Sequence, residues 1–195
     1  MINKEIARKM TKTIETERLI LRKFKYYDLE DLYEFGKNPF VGPNAGWPPH
    51  SSILESKAYL DVFIKYDNVW AIEYKANKKV IGTIGLHEDL LRTTVKNLNS
   101  RCLGYALSYN FWGLGITTEA VLAIIDYAFT SMNLDIIAVD HYVENTRSKR
   151  VIEKAGFKYE GTLRKAKRSY DNKPKDIMCY SLLKKEWEQN KNIST

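Results

Sequence analysis

The sequence predicts an α/β protein in which a mixed sheet is flanked by helices, and three observations carry that prediction. First, short β-like runs and segments of helical period alternate in the order β-α-α-β-β-β-α-β-α-β-β, with no internal repeat and no linker. Second, Leu103 to Ala128 reads as an apolar run, a turn built on Gly113 and Gly115, and a helix with Val121, Ile124, Ile125, Ala128 and Met132 at three- and four-residue steps. Third, 195 residues with 44% hydrophobic and 28% charged side chains suit one domain with a full core. The expected boundaries are a flexible leader over 1–13, one domain over 14–188 and a C-terminal tail over 189–195.

In chain order, Thr16–Phe24 alternates apolar and charged residues and is the first strand. Asp28 is placed to cap a short helix that buries Leu29, Leu32 and Phe35 and stops at Gly36. Residues 37–50, punctuated by Pro39, Gly42-Pro43, Gly46 and Pro48-Pro49, form a loop that also holds Trp47 and His50. Ser52 and Glu55 have capping-box spacing ahead of a second helix ending near Asp67. Val69–Tyr74 and Val80–Leu86 form a hairpin, and a polar irregular stretch over 88–100 precedes the strand Arg101–Ser108. The helix Thr117–Met132, a strand Asp135–Val143, an Asn145-capped helix ending at Gly156, and strands Phe157–Arg164 and Asp176–Leu183 complete the chain.

Composition excludes several classes. No apolar run is long enough to span a membrane, and the charged start MINKEIARKMTKT has no signal-peptide core, so a cytoplasmic location without membrane association is expected. Cys102 and Cys179 stand alone in β-like runs, which points to two buried thiols and away from a metal site or a disulfide scaffold. The net charge of +7 is concentrated late, with thirteen Lys or Arg against four Asp or Glu between Thr146 and Lys185. Such a stretch is either a solvated face or a field for a polyanion, a phosphorylated cofactor or an acidic macromolecule. Without a zinc finger, an RNA-binding aromatic motif or a helix-turn-helix pattern, direct nucleic-acid binding is not expected.

The strand, glycine turn and helix start of residues 103–118 make an anion site. Glycines allow close approach of backbone, and the first helical N–H groups lack intrahelical acceptors. Around that site runs a series of motifs: TERLILR (16–22), IGTIGLH (81–87), GYAL (104–107), NFWGLGITTEA (110–120), NTRSKRVIEKAGF (145–157), EGTLRKA (160–166) and DIMCYSLL (176–183). In this order and spacing they resemble the GNAT acetyltransferases, in particular the RimJ/RimL-like branch that contains the ribosomal-protein N-terminal acetyltransferases. The resemblance extends from about Thr13 to Trp187.

It implies a seven-stranded, mostly antiparallel sheet with about four helices, splayed between the fourth and fifth strands, Arg101–Ser108 and Asp135–Val143. The family's turn motif, Q/R-x-x-G-x-G/A, has Asn110 in its first place here. The resemblance implies that backbone N–H groups of Trp112, Gly113, Leu114, Gly115, Ile116, Thr117 and Thr118 hold the pyrophosphate of acetyl-CoA. It further implies that backbone of Ala106, Leu107 and Ser108 pairs with the pantetheine arm and supplies an oxyanion donor. No metal is implied.

Many GNAT enzymes carry a tyrosine seven residues after the Asn corresponding to Asn145, and here that position is Ile152. The branch instead has a serine three residues on, so Ser148 is assigned to the leaving sulfur and Asn145 to orienting the pantetheine. An N-cap for Asn145 and a first-turn helix site for Ser148 are the plain structural alternatives. Arg150 matches the branch's arginine and is assigned to the coenzyme phosphate. Glu88 is the candidate base; His87, or a water chain, is the alternative. Trp47, His50, His87 and Glu88 are assigned to the acceptor pocket.

The activity implied is direct transfer from acetyl-CoA to a primary amine, preferably a protein or peptide N-terminal α-amine. A small amine such as a polyamine, amino sugar or antibiotic is the alternative acceptor. A non-catalytic CoA-binding or ribosome-associated module is the rival from another class. The sequence itself is silent on oligomeric state, although the branch is often dimeric, which makes a homodimer one possible assembly.

Overall fold

The computed structural model describes residues 11–193. The chain divides into two compact units, Met1–Gly85 with Gly104–Ala120, and Leu86–Leu103 with Val121–Thr195. Eight strands and six α-helices stand among the described residues, one strand and two helices more than the sequence suggests. Residues 1–10 of the expected leader lie outside the described part, as do residues 194 and 195 of the expected tail.

In the first unit, β1 (Ile14–Glu15), β2 (Leu19–Lys23), β3 (Val69–Tyr74) and β4 (Lys79–His87, here to Gly85) are consecutive antiparallel neighbours. The second half of β5 (Ser100–Leu107) lies beside β4. Gly82 permits that approach: a Cβ there would stand 2.4 Å from the Ala106 carbonyl oxygen. The extra strand β1 has only two residues, too few for an alternating pattern to announce it. The expected leader is already anchored at Lys12, whose carbonyl accepts from Trp70 Nε1 at 2.9 Å.

Helices α1 (Leu29–Gly36) and α3 (Ile53–Tyr66) pack with Phe24, Leu32, Phe35, Leu60, Val69, Ala71, Val80 and Ala106 into one core. Asp28 does not cap α1. Its buried carboxylate takes a bidentate pair of 2.8 Å bonds from Arg22 and another from Lys25 N–H. A buried carboxylate needs a charged partner more than a helix end needs a cap. The capping box before α3 is half realised. Ser52 Oγ accepts Glu55 N–H at 3.3 Å, but the Glu55 carboxylate turns to Ser51 N–H and Oγ. Within the proline-rich loop, Gly42–Ala45 closes one helical turn, α2, with Pro43 in its first turn and left-handed Gly46 (φ 92°) ending it.

In the second unit, β6 (Ile136–Tyr142) pairs in parallel with the first half of β5, and the register runs from Ser100↔Ile136 to Leu103↔Val139. Then β8 (Pro174–Leu183) pairs antiparallel with β6, and β7 (Lys158–Arg168) antiparallel with β8 at the edge. α4 (Ile116–Thr130) begins in the first unit and buries Val121, Ile124, Ile125 and Ala128 in the second, the core face expected from their spacing. α5 (Thr146–Lys154) follows β6. α6 (Lys184–Ile193) extends through much of the expected tail. It is anchored by Trp187 against Phe129, ring centroids 5.4 Å apart. Trp187 is its one large apolar residue before Ile193, so no helical stripe marks it in the sequence.

Loop 88–99 is polar yet pinned. Buried Asp89 pairs with Arg92 at 3.0 Å, Arg92 grips both Glu160 oxygens at 2.7 Å, and Glu160 accepts from Ser181 Oγ. Both cysteines are unbonded to each other. Cys179 is buried, and half-buried Cys102 has its thiol pushed up to about 11 by burial and by Asp140, which keeps it protonated and unreactive.

Candidate acetyl-CoA and acceptor sites

Within the first unit, Ser108 follows β5, a 3-10 turn over Tyr109–Phe111 comes next, and the chain then passes through Trp112 to Gly113 (φ 79°) and Gly115 (φ 75°). Both glycines are in the left-handed region, where a side chain is strained, and a Cβ on Gly113 would meet nothing within 4 Å. The glycines therefore set the chain direction and leave open room above the turn. α4 starts at Ile116, and its first intrahelical bond from this end is Glu119 N–H to Gly115 O at 3.1 Å. Gly115 has no side chain to cap Ile116, Thr117 and Thr118, so those N–H groups point outward toward the exposed Gly113–Gly115 loop. This arrangement fits a diphosphate: several aligned donors, a positive helix end, and no obstructing side chain.

The structure adds a brace that sequence reading did not single out. Glu119 Oε1 accepts from Thr16 Oγ1 at 2.5 Å and from Arg18 N–H at 2.9 Å, while Oε2 meets Arg18 Nε at 2.6 Å. Arg18 Nη1 then donates to Leu114 O, in the turn itself, at 2.9 Å. Burial works to raise the Glu119 pKa, but the bonds from Thr16 and Arg18 outweigh it and hold it below the ordinary carboxylate range. The carboxylate is thereby kept off the helix N–H groups that a ligand needs. The signal was available as TER (16–18) together with Glu119, but their contact spans 101 residues and only the fold shows it. Glu119→Gln is expected to loosen the turn, weakening acetyl-CoA binding about tenfold and destabilising the protein by about 2 kcal/mol. Calorimetric titration and thermal melts measure the two effects.

Of the three residues assigned to pantetheine, Leu107 and Ser108 have main-chain groups engaged in hydrogen bonds. Ser108 N–H donates to Ile81 O at 2.7 Å, and Leu107 O accepts from Trp112 Nε1 at 2.8 Å. Ser108 N–H is thus not the oxyanion donor, because it is committed to β4. Alternation along the strand directs Leu107 N–H away from β4, and Ala106 O toward Gly82.

The proline-rich loop reaches the same region through aromatic contacts missed in the sequence. Phe40 lies 5.3 Å from Tyr109, which lies 4.9 Å from Trp112, and Trp47 packs on the core that includes Ala106. His50, assigned to the acceptor pocket, is drawn into the protein. It is 5% exposed, shares a 2.6 Å hydrogen bond with Ser56 Oγ, stacks on Tyr59 at 4.7 Å, and fills the space that a Cβ on Gly36 would need. Packing of α1 against α3 draws the ring inward.

Burial lowers the His50 pKa, against a smaller opposing effect of Glu55. A base whose folded pKa is depressed gives stability that is fully present above its unfolded value and lost as pH falls below it. The melting temperature is therefore expected to fall from pH 7 to pH 5, with a shallower slope in His50→Gln. Melts across that range check it.

In the second unit, His87 ends β4 and Glu88 follows, both exposed. Protein crowded around the ring and the charge of Lys167 lower the His87 pKa, so the ring is neutral near pH 7 and can accept a proton. Asn145 caps α5 through Oδ1, which accepts Ser148 N–H at 3.1 Å. Ser148 is half-buried in the first turn, and Arg150 is exposed. Ile152 is buried. No helix among the described residues is long and apolar enough to cross a membrane, and no group of three metal-ligating side chains occurs among them.

Comparison with known proteins agrees with this arrangement. The acetyltransferase (GNAT) domain family matches residues 18–158. The chain is 32% identical over 181 residues to the uncharacterized N-acetyltransferase p20 of Bacillus licheniformis, covering 90% of this chain and 98% of that one. Over 90 residues, 46% of this chain and 48% of the relative, it is 40% identical to the putative ribosomal N-acetyltransferase YdaF of Bacillus subtilis. The spermidine N-acetyltransferase of Vibrio cholerae, solved with CoA and spermine, shares the fold with a TM-score of 0.73 at 23% identity, over 89% of this chain and 99% of that one. The family match, the full-length relative and the glycine turn at a bare helix end agree, and the chain belongs to the GNAT acetyltransferase family.

Proposed function

We propose that this GNAT N-acetyltransferase acetylates the N-terminal α-amine of a polypeptide. The observation that carries the acetyl-CoA assignment is the uncapped start of α4 behind two left-handed glycines, braced by Arg18 and Glu119. Similarity to a putative ribosomal N-acetyltransferase supports the polypeptide acceptor. Acetyl-CoA supplies an activated thioester: the amine nitrogen forms the new C–N bond, the C–S bond breaks, and CoA leaves as the thiol.

The chain's residues are then assigned as follows. Amides of Gly113 to Thr118 hold the pyrophosphate, with Arg150 for the coenzyme phosphate, and Leu107 N–H is the donor for charge developing on the carbonyl oxygen. Asn145 orients the pantetheine, and Ser148 gives a proton or hydrogen bond to the departing sulfur. Glu88 takes the amine proton, with neutral His87 beside it as the other acceptor, and Trp47 borders the amine.

A small-amine acceptor is the second reading, favoured by the shared fold of the spermidine enzyme. Release of CoA thiol with N-terminal peptides, polyamines and aminoglycosides separates the two. Turnover of peptides and not polyamines is expected. The reverse assigns a small amine, and tight acetyl-CoA binding with no turnover of any amine assigns a binding module.

A further inference from the structure

The basic excess of the chain has a definite place that the acetyl-transfer chemistry does not use. The register of β6 with β8 ends at Tyr142↔Ile177, with one more bond from Val143 N–H to Asp176 O. Beyond it, residues 164–175 of the β7–β8 hairpin run on as a two-stranded ribbon at the sheet edge. It is tied to β6 and its continuation by side chains: Lys167 to Asp140 at 2.5 Å, Tyr142 Oη to Arg168 O at 3.1 Å, and Lys175 to Glu144. Residues 162–168 are all exposed. The ribbon carries six Lys or Arg against Asp171 alone, a net of +5 in a chain of net +7.

These cations are not alike. Lys167, Lys173 and Lys175 have acidic partners, and Arg168 Nη1 donates to Asn172 O. Arg164 and Lys165 have no acidic partner among the described residues. They sit in a bulge: Leu163 pairs with Ile177 and Lys167 with Lys175, so β7 spends four steps where β8 spends two. Lys165 holds φ 52°, a left-handed conformation that costs a non-glycine residue about 1 kcal/mol. The bulge is fixed by Asp176 Oδ1, which accepts Lys165 N–H at 2.8 Å. A charged edge alone would keep other strands away. It would not need a strained bulge at two exposed cations that have no acidic partner among the described residues.

We propose that this ribbon, with the bulged Arg164–Lys165 pair at its centre, docks a carboxylate-bearing stretch of the polypeptide acceptor. The proposal rests on the polypeptide reading above. Exposed guanidinium and ammonium groups on consecutive residues suit a peptide segment carrying more than one carboxylate. A second copy of the chain fits poorly, since two such ribbons repel. A single-stranded nucleic acid asks for a row of stacking aromatics, and residues 164–175 offer only Tyr170. The charge of Lys167, on this ribbon, also lowers the pKa of His87, one of the residues assigned to the amine.

The test compares N-terminal peptides differing only in two Asp or Glu residues a few positions after the amine, on wild type and on Arg164→Gln/Lys165→Gln. At low ionic strength the acidic peptide is expected to show about tenfold higher kcat/KM, through KM. That advantage should shrink below about twofold near 0.5 M salt, where screening is short-ranged. The double variant should lose the advantage and leave the neutral peptide unchanged. Equal kcat/KM for the two peptides on wild type, or the same ratio in the variant, overturns the proposal. Should no amine be acetylated, the functional reading fails by itself, and fluorescence anisotropy with a labelled acidic peptide still decides the ribbon. Salt-sensitive binding lost in the variant sustains docking, and absence of binding overturns it. Tighter capture of a single-stranded RNA oligonucleotide than of the peptide, lost in the same variant, also overturns it.

Discussion

Gly115→Val is expected to weaken acetyl-CoA binding by at least about tenfold while the protein stays folded. Gly115 holds φ 75°, where a β-branched residue is a genuine outlier costing about 1–2 kcal/mol. Relaxing that strain means rotating the peptide that positions Ile116 and the following N–H groups. The valine methyls would also press on the Arg18 guanidinium, whose Nη2 lies 3.6 Å from the Cβ position and which Glu119 and Leu114 O hold in place. The donors would then no longer converge on one diphosphate. Gly113→Ala is the graded comparison. Its Cβ meets nothing within 4 Å, so only the φ 79° penalty remains and a smaller loss is expected. Calorimetric titration with acetyl-CoA measures both, with circular dichroism to confirm the fold. Unchanged affinity in Gly115→Val would remove the pyrophosphate assignment.

Ser148→Ala is expected to lower kcat by about 10- to 100-fold, with KM for acetyl-CoA changed less than about twofold. The cap of α5 is the Asn145 side chain, which receives the Ser148 backbone N–H, and an alanine keeps that N–H. Alanine also favours the helix, and thermal melts separate any loss of stability from a kinetic effect. A fall in kcat would then report on the hydroxyl. Asn145→Ala, by contrast, removes the cap and should cost about 1 kcal/mol along with activity. Wild-type kcat in Ser148→Ala would leave Ser148 as a helix residue only.

What was legible in the sequence follows from how local each signal is. The hairpin of β3 and β4 and the core face of α4 rest on periodicity within a dozen residues, and they stand as expected. The Asn145 cap rests on a three-residue spacing and is also found. Asp28 and Glu55 had the right spacing for caps and took other partners, because Arg22 and Ser51 offered better ones. His50 looked like a loop residue with a purpose at the surface. Its purpose is to fill the gap between Gly36 and Tyr59.

By itself, then, the sequence determined the order of seven strands and four helices, the glycine turn feeding a helix start, and membership of an acetyl-CoA-using family. Each depends on residues adjacent in the chain or on motifs read in series. Only the tertiary structure decided that Arg18 and Glu119 brace the turn, that Ser108 N–H belongs to β4, and that the surplus charge gathers on a bulged ribbon beyond the end of β6. Those facts depend on pairs brought together across the chain, and a one-dimensional spacing carries no record of which distant partner a donor, a carboxylate or a cation will meet.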